Sequence, residues 1–360
     1  MNKTITPLQR AEGFCERFGL QVPILAAPMA GACPASLAVA VANAGGMGGM
    51  GALLSTPAEI TSWASEFRAG SNGAFQLNLW VPDPPPLRDV VHEAQVRSFL
   101  SQWGPDVPEE AGDARPPDFT AQCDALLASR PTVISSIMGV FPAAFVAAMK
   151  EHGIAWFACA TTLAEARAAE AAGADAIVVQ GAEAGGHRGS FDAAAAERGT
   201  VGLFALLPRI ASNMSVPVIA TGGIGDGRGL AAALALGASA VQMGTVFLRC
   251  PEARTNAAWA NALEELEPER TMLTRAFSGR PGRAVSTRYV EAAAATDAPA
   301  PAPYPVQRGL SAAMRAEAAK QGDVQRMQAW AGQAAWLASP RAAGEIVREA
   351  WLEARQIFGG

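Results

Sequence analysis

The residues best suited to chemistry gather in one stretch, VVQGAEAGGHRGSF (residues 178–191). An apolar run ends there at Gln180 and passes into a glycine-rich loop that carries Glu183, His187 and Arg188. His187 is one of only three histidines in 360 residues. His92 and His152 lie in or at the end of polar helical stretches, where a histidine only packs or solvates. His187 instead follows Gly185 and Gly186 directly, on a loop too rich in glycine to pack. A neutral imidazole near pH 7 suits removal of a proton from a weakly acidic C–H. The plainer reading is a surface loop histidine. Glu183 either orients the ring or solvates the loop.

Two other segments have the character of phosphate sites. TGGIGDGRG (221–229) leaves an apolar run with Gly222 and Gly223 side by side. QMGT, which is Gln242, Met243, Gly244 and Thr245, ends another. Glycines let backbone N–H groups approach an anion, and a helix N-terminus adds positive potential. The alternative is that these glycines only make tight turns. Asn78 and Gln180 are amides at the ends of apolar runs. Each can read a ring edge such as a flavin's, or bridge neighbouring loops. APMAG (27–31), Ser135 and Ser136 occupy equivalent places. No dinucleotide G-x-G-x-x-G with its distant acid is present, and GGMGGMGAL (45–53) lacks that acid. No Walker lysine and no metal-ligand spacing of histidines and acids occurs.

The elements that must position these residues repeat as a short apolar run, a glycine turn and an alanine-rich helix. The strands read as VPILAAPM, MGGMGAL, AFQLNLW, TVISSIMG, AWFACAT, AIVVQG, VPVIATGG and AVQMGTVFL. Helices follow, with Pro34 placed in the first turn of one, and Thr56, Pro57 and Glu59 opening another. Thr161 or Thr162 caps a third, and Pro208 falls inside a fourth. Eight such units predict a parallel (β/α)8 TIM barrel, with sites at the C-terminal ends of its strands. A proline-rich insertion of about residues 81–131 is expected to carry one short helix. The predicted organisation is a barrel over 1–250 and an extension over 251–360 packed on it. In that extension, TMLTRAFSGRPGRAVSTRYVEA reads as extended with a turn at GRPG, ATDAPAPAPYP as linker-like, and the segment from Leu310 to Trp336 as a helix.

Composition narrows the function. Half the residues are apolar and the net charge is −5. Without a Lys/Arg run, neither nucleic acid nor an anionic membrane surface is an expected partner. Five cysteines without a CxxC pair suggest reduced thiols in a cytoplasmic protein. The first 20 residues have no apolar run of a signal peptide, and no stretch reads as a membrane span.

PILAAPMAG, FQLNLW, VVQGAEAGGHRG, PVIATGGIGDGRGLAAALALGASAVQMGTVFL, SGRPGRAV and WAGQAAWL, in this order, resemble the nitronate monooxygenase family, once called 2-nitropropane dioxygenases. The resemblance implies a barrel that binds FMN non-covalently. It implies FMN contacts at Asn78, Gln180, Gly185, Gly223, Gln242, Met243, Gly244 and Thr245, with Gly186 and Gly222 counted alongside. Met29 and Ala30 would lie against the isoalloxazine, and His187 would be the base. The implied reaction converts an alkyl nitronate, or a nitroalkane after loss of its α-proton, and O2 to a carbonyl compound and nitrite, without NAD(P)H. An NAD(P)H-dependent flavin reductase of the enoyl-thioester or quinone type is the alternative on the same barrel. No role is assigned to Tyr304 or Arg308, and Ser286 or Thr287 is a weaker candidate for the site.

Overall fold

Short apolar runs punctuated by glycine form strands that a sheet can bury on both faces, and this alternation sets the architecture. The computed structural model describes residues 5–359. Its strands before residue 250 are β1 (Ile24–Ala26), β2 (Gly48–Gly51), β3 (Phe75–Trp80), β4 (Val133–Ile137), β5 (Ala155–Ala160), β6 (Ala176–Gln180), the two-residue β7 (Gly186–His187), β8 (Val218–Thr221) and β9 (Ala240–Met243). All but β7 form one parallel sheet in the order β1-β9-β8-β6-β5-β4-β3-β2. The ends meet: Ala26 N–H donates to Met47 O at 2.8 Å, and Met47 N–H to Ile24 O at 3.0 Å. The sheet therefore closes into the expected (β/α)8 barrel.

The helices before residue 250 are α1 (Pro7–Phe18), α2 (Ala35–Asn43), α3 (Pro57–Gly70), α4 (Val90–Leu100), α5 (Phe119–Ala128), α6 (Ala143–Glu151), α7 (Leu163–Ala171), α8 (Leu203–Ala211) and α9 (Gly227–Ala235). Local signals set several boundaries. Thr56 and Glu59 form a capping box on α3, and Thr162 caps α7. Pro34 is the N-cap of α2 rather than part of its first turn. The excursion after β3 holds α4 and also a 3-10 turn, Glu109–Asp113, while α5 packs beside α3 in the outer ring.

Within the barrel, alternate residues point in. Along β6, Ala176 and Val178 join the inner core and Gln180 reaches the mouth, whereas Ile177 and Val179 join the outer core. The inner layers are apolar near the N-terminal end, where Phe14 and Phe18 of α1 meet Phe157. They become polar toward the other end, with Asn78, Ser135, Gln180, Thr221 and Gln242.

The C-terminal segment is woven into this body. It contains α10 (Ala257–Asn261), the antiparallel strands β10 (Thr271–Thr274) and β11 (Gly282–Val285), α11 (Arg288–Ala293), α12 (Val306–Leu310), α13 (Ala312–Gln321) and α14 (Ala343–Ile357). Directly after β9 come two 3-10 turns and the five-residue α10, and α14 packs against both α9 and α2 in the ring position left open. A second core joins the excursion to the tail: Val96 and Leu100 of α4 pack with Phe277, Tyr289, Val306, Leu310 and Met314. The expected helix from Leu310 to Trp336 stops at Gln321, because Gly322 adopts φ +65° and caps it. ATDAPAPAPYP is no free linker: Ala302 is fully buried, and its N–H donates to Gln307 Oε1. Among the described residues no helix is long and apolar enough to cross a membrane.

Candidate active site

The polar end of the barrel opens into a cavity of about 740 Å³. Met29, Ala30, Asn78, Gln180, Gly185, Gly186, His187, Gly222, Gly223, Gln242, Gly244 and Thr245 all line it. Met243 does not. It lies between Gln242 and Gly244 on β9, so strand alternation turns its side chain outward into the core beneath the helices, where it is fully buried.

At the exits of β8 and β9 the cavity wall is backbone. Gly222, Gly223 and Ile224 from one exit, and Gly244, Thr245 and Val246 from the other, line the cavity. Their six N–H groups make no hydrogen bond among the described residues. Gly222 and Gly223 adopt φ +112° and +71°, a region that side chains other than glycine rarely enter. A Cβ on Gly223 would meet Glu183 at 3.3 Å, and one on Gly244 would meet Ala27 at 3.1 Å. Such a cluster of free donors fits a phosphate.

The amides divide into two kinds. Gln180 spends both ends on the loop: Nε2 donates to His187 O at 3.0 Å, and Oε1 accepts from Gly189 N–H at 2.8 Å. These bonds bridge the loop, and the residue also lines the cavity. Asn78 donates to Ser135 O and Oγ. Gln242 differs: its Oε1 accepts from Gln76 Nε2 at 3.0 Å, and its Nε2 makes no bond among the described residues. That leaves an oriented donor at the cavity for a ring edge.

His187 is held from several sides. Its backbone pairs antiparallel with Gly282 of β11, and its ring sits edge-on to Trp80 and Trp330, with centroids at 4.7 and 4.8 Å. Nε2 lies 2.7 Å from Ser278 Oγ. Burial, then the charges of Arg308, Arg280 and Arg315, push its pKa down to about 3, so the imidazole is neutral. Glu183 neither orients the ring nor solvates the loop. Both its oxygens accept from Leu203 N–H and cap α8, whose N-cap Gly202 has no side chain. Arg188 turns under the loop to Gly181 O at 2.6 Å.

Three contributors come from the tail. Ser278 sits in the turn between β10 and β11. Ser286 and Thr287, the weaker candidates, bond to Glu291 and cap α11 instead, outside the cavity. Arg308 and Arg315 line the cavity, and neither pairs with a carboxylate among the described residues. Arg308's guanidinium makes no hydrogen bond at all among them, and burial lowers its pKa. Arg315 is anchored by Ser311 Oγ, Gln328 Oε1 and Arg308 O. Nothing local in the sequence marks Arg308, because its place depends on α12 packing back over the mouth.

Comparison with known proteins agrees with this geometry. A family model described as nitronate monooxygenase matches residues 13–353. A nitronate monooxygenase of Pseudomonas aeruginosa is 39% identical over 342 residues, 93% of this chain and 97% of that one. One from Paraburkholderia phytofirmans is 38% identical over 344 residues, covering 94% and 93%. A crystal structure described as nitroalkane oxidase from Streptomyces ansochromogenes superposes with a TM-score of 0.86 at 34% identity, covering 94% and 97%.

Proposed function

Because the chain belongs to the nitronate monooxygenase family, a family of oxidoreductases, we propose that it oxidises alkyl nitronates with bound FMN and O2, releasing a carbonyl compound and nitrite. The observation that carries this reading is one cavity that joins six unpaired backbone donors to a neutral His187 and an unpaired Arg308. The donors at the β8 and β9 exits would hold the phosphate. Gln242, Asn78, Met29 and Ala30 would border the ring system, and Gly185, Gly186 and Thr245 would close the wall. When bound, FMN supplies the electron transfer that side chains lack.

The residues of this chain then have defined work. Arg308 offers a charged donor to the anionic nitronate oxygens in a partly desolvated setting, where such bonds are strong. For a neutral nitroalkane, His187 takes the α-proton and leaves the electron pair to delocalise onto the nitro group. A neutral ring is ready for this, and the anion formed beside it favours the imidazolium. For a preformed nitronate the base is needed less. Trp80 and Trp330 pack edge-on against the ring and fix its plane. Residues 1–250 are the FMN-binding part on this reading, and 251–360 supply Ser278 and the arginines.

The test is an anaerobic visible spectrum of the purified protein, first alone, then with ethylnitronate or propionate 3-nitronate, and separately with NADH. Bleaching by nitronate but not NADH, followed by nitrite release when air enters, is the expected result. Bleaching by NADH alone would replace this reading with the flavin reductase. A colourless protein that takes up no FMN would remove both.

A further inference from the structure

The polar atoms around His187 determine which ring nitrogen carries the proton. Nε2 has one partner, Ser278 Oγ at 2.7 Å. A serine hydroxyl has one proton to give. Ser278 is 1% exposed, and its Oγ also lies 3.1 Å from Arg280 O, positioned to donate. Arg280 N–H approaches the same oxygen at 3.4 Å as a donor. Among the described residues Arg280 O has no other hydrogen-bond donor. Were Ser278 to give its proton to Nε2, this buried carbonyl would be left unpaired, which is unfavourable. The hydroxyl proton therefore belongs on Arg280 O, and Nε2 must carry its own hydrogen and donate it to Oγ.

The supporting frame is rigid. The Arg280 guanidinium forms an ion pair with Asp83 of the excursion, and Nη1 donates to Ser190 O at 2.9 Å. The two tryptophans and the pairing of His187 with Gly282 keep the ring from turning over. Nδ1 makes no hydrogen bond among the described residues. Nδ1 is not fully buried, and His187 lines the cavity, so this nitrogen is open to it.

We infer that Ser278 is a positioning residue that fixes His187 as the Nε2–H tautomer and so presents a bare Nδ1 lone pair to the substrate. This inference rests, for its catalytic meaning, on His187 acting as the base. In that step the substrate α-C–H bond breaks and the proton bonds to Nδ1. The electron pair stays on carbon and spreads into the nitro group, giving the nitronate. The imidazolium so formed keeps its Nε2–H on Ser278, and no proton passes through the hydroxyl.

The test uses the FMN-loaded protein labelled with 15N-histidine, read by long-range 1H–15N correlation at pH 7.5. Only three histidines contribute, and His187→Asn assigns the signal. The expected result is the Nε2–H pattern in the native protein. Ser278→Ala should give a mixture of tautomers or Nδ1–H, and Ser278→Thr should restore the native pattern. In parallel, Ser278→Ala should lower kcat on a neutral nitroalkane about tenfold with KM little changed. Turnover of preformed nitronate should be spared, and Ser278→Thr should recover the loss. An Nδ1–H pattern in the native protein, or an unchanged tautomer in Ser278→Ala, overturns the inference. If the tautomers behave as expected but His187→Asn turns over nitroalkane at the native rate, the role of His187 as base fails while the tautomer assignment stands.

Discussion

At the scale of single residues the site is a neutral imidazole beside two arginines without a carboxylate partner among the described residues, and three outcomes follow from the proposed reaction. His187→Asn should keep FMN and lose at least a hundredfold in turnover of a neutral nitroalkane, the size expected for a general base. Activity on preformed nitronate should fall much less. Steady-state rates on the two substrate forms check this, and equal losses would remove the base role. Arg308→Met should raise KM for nitronate about tenfold, since one charge-assisted bond is lost, and leave KM for the neutral form nearly unchanged. The histidine also bears on stability. Its folded pKa is about 3 against an ordinary 6.5, lowered by burial and by Arg308, Arg280 and Arg315. Between those values the unfolded chain binds the extra proton, so this contribution is complete above pH 6.5 and shrinks as pH falls toward 3. Urea midpoints should show native protein losing more stability than His187→Asn between pH 7 and 5. Parallel curves would show that the ring titrates normally in the fold.

Elements bring these residues together, and here the sequence was legible only in part. The barrel could be read because its signals are local: the capping box at Thr56 and Glu59, the apolar runs, and glycines at strand exits. The β8 and β9 exits could be read for the same reason. Ser278 could not, since it lies 91 residues from His187 and meets it only because β11 pairs with β7. SGRPGRAV did carry a signal, a tight turn, but a turn does not show what it faces. The bonds of Gln180 to His187 O and Gly189 N–H were not legible either, since they depend on how the glycine loop folds back. The overlong helix reading past Gln321 gave weight to alanine content over the stop signal at Gly322. The donor cluster yields its own prediction. Gly223→Ala forces a side chain into a left-handed conformation, at about 1–2 kcal/mol. It should also weaken FMN binding at least tenfold in a fluorescence titration, whereas unchanged affinity would move the phosphate elsewhere.

On the scale of the whole molecule, barrel and tail form one body. The helix ring is completed by α14, and Ala343, Ile346, Val347, Ala350 and Ala354 lie buried in the barrel's outer core. Truncation after residue 340 should therefore give a chain that fails to unfold cooperatively in calorimetry, not merely one with reduced activity. A sharp transition near the native Tm would show that the ring tolerates the gap. The phenylalanines at the other end of the barrel have a kinetic consequence. Phe14, Phe18 and Phe157 fill the N-terminal end, so traffic is left to the mouth beside Arg308. On the proposed reaction, an incoming nitronate and a departing nitrite would both be small anions sharing the mouth that Arg308 and Arg315 line. Turnover would then be an exchange of one anion for another, in which accumulating nitrite competes with substrate for entry.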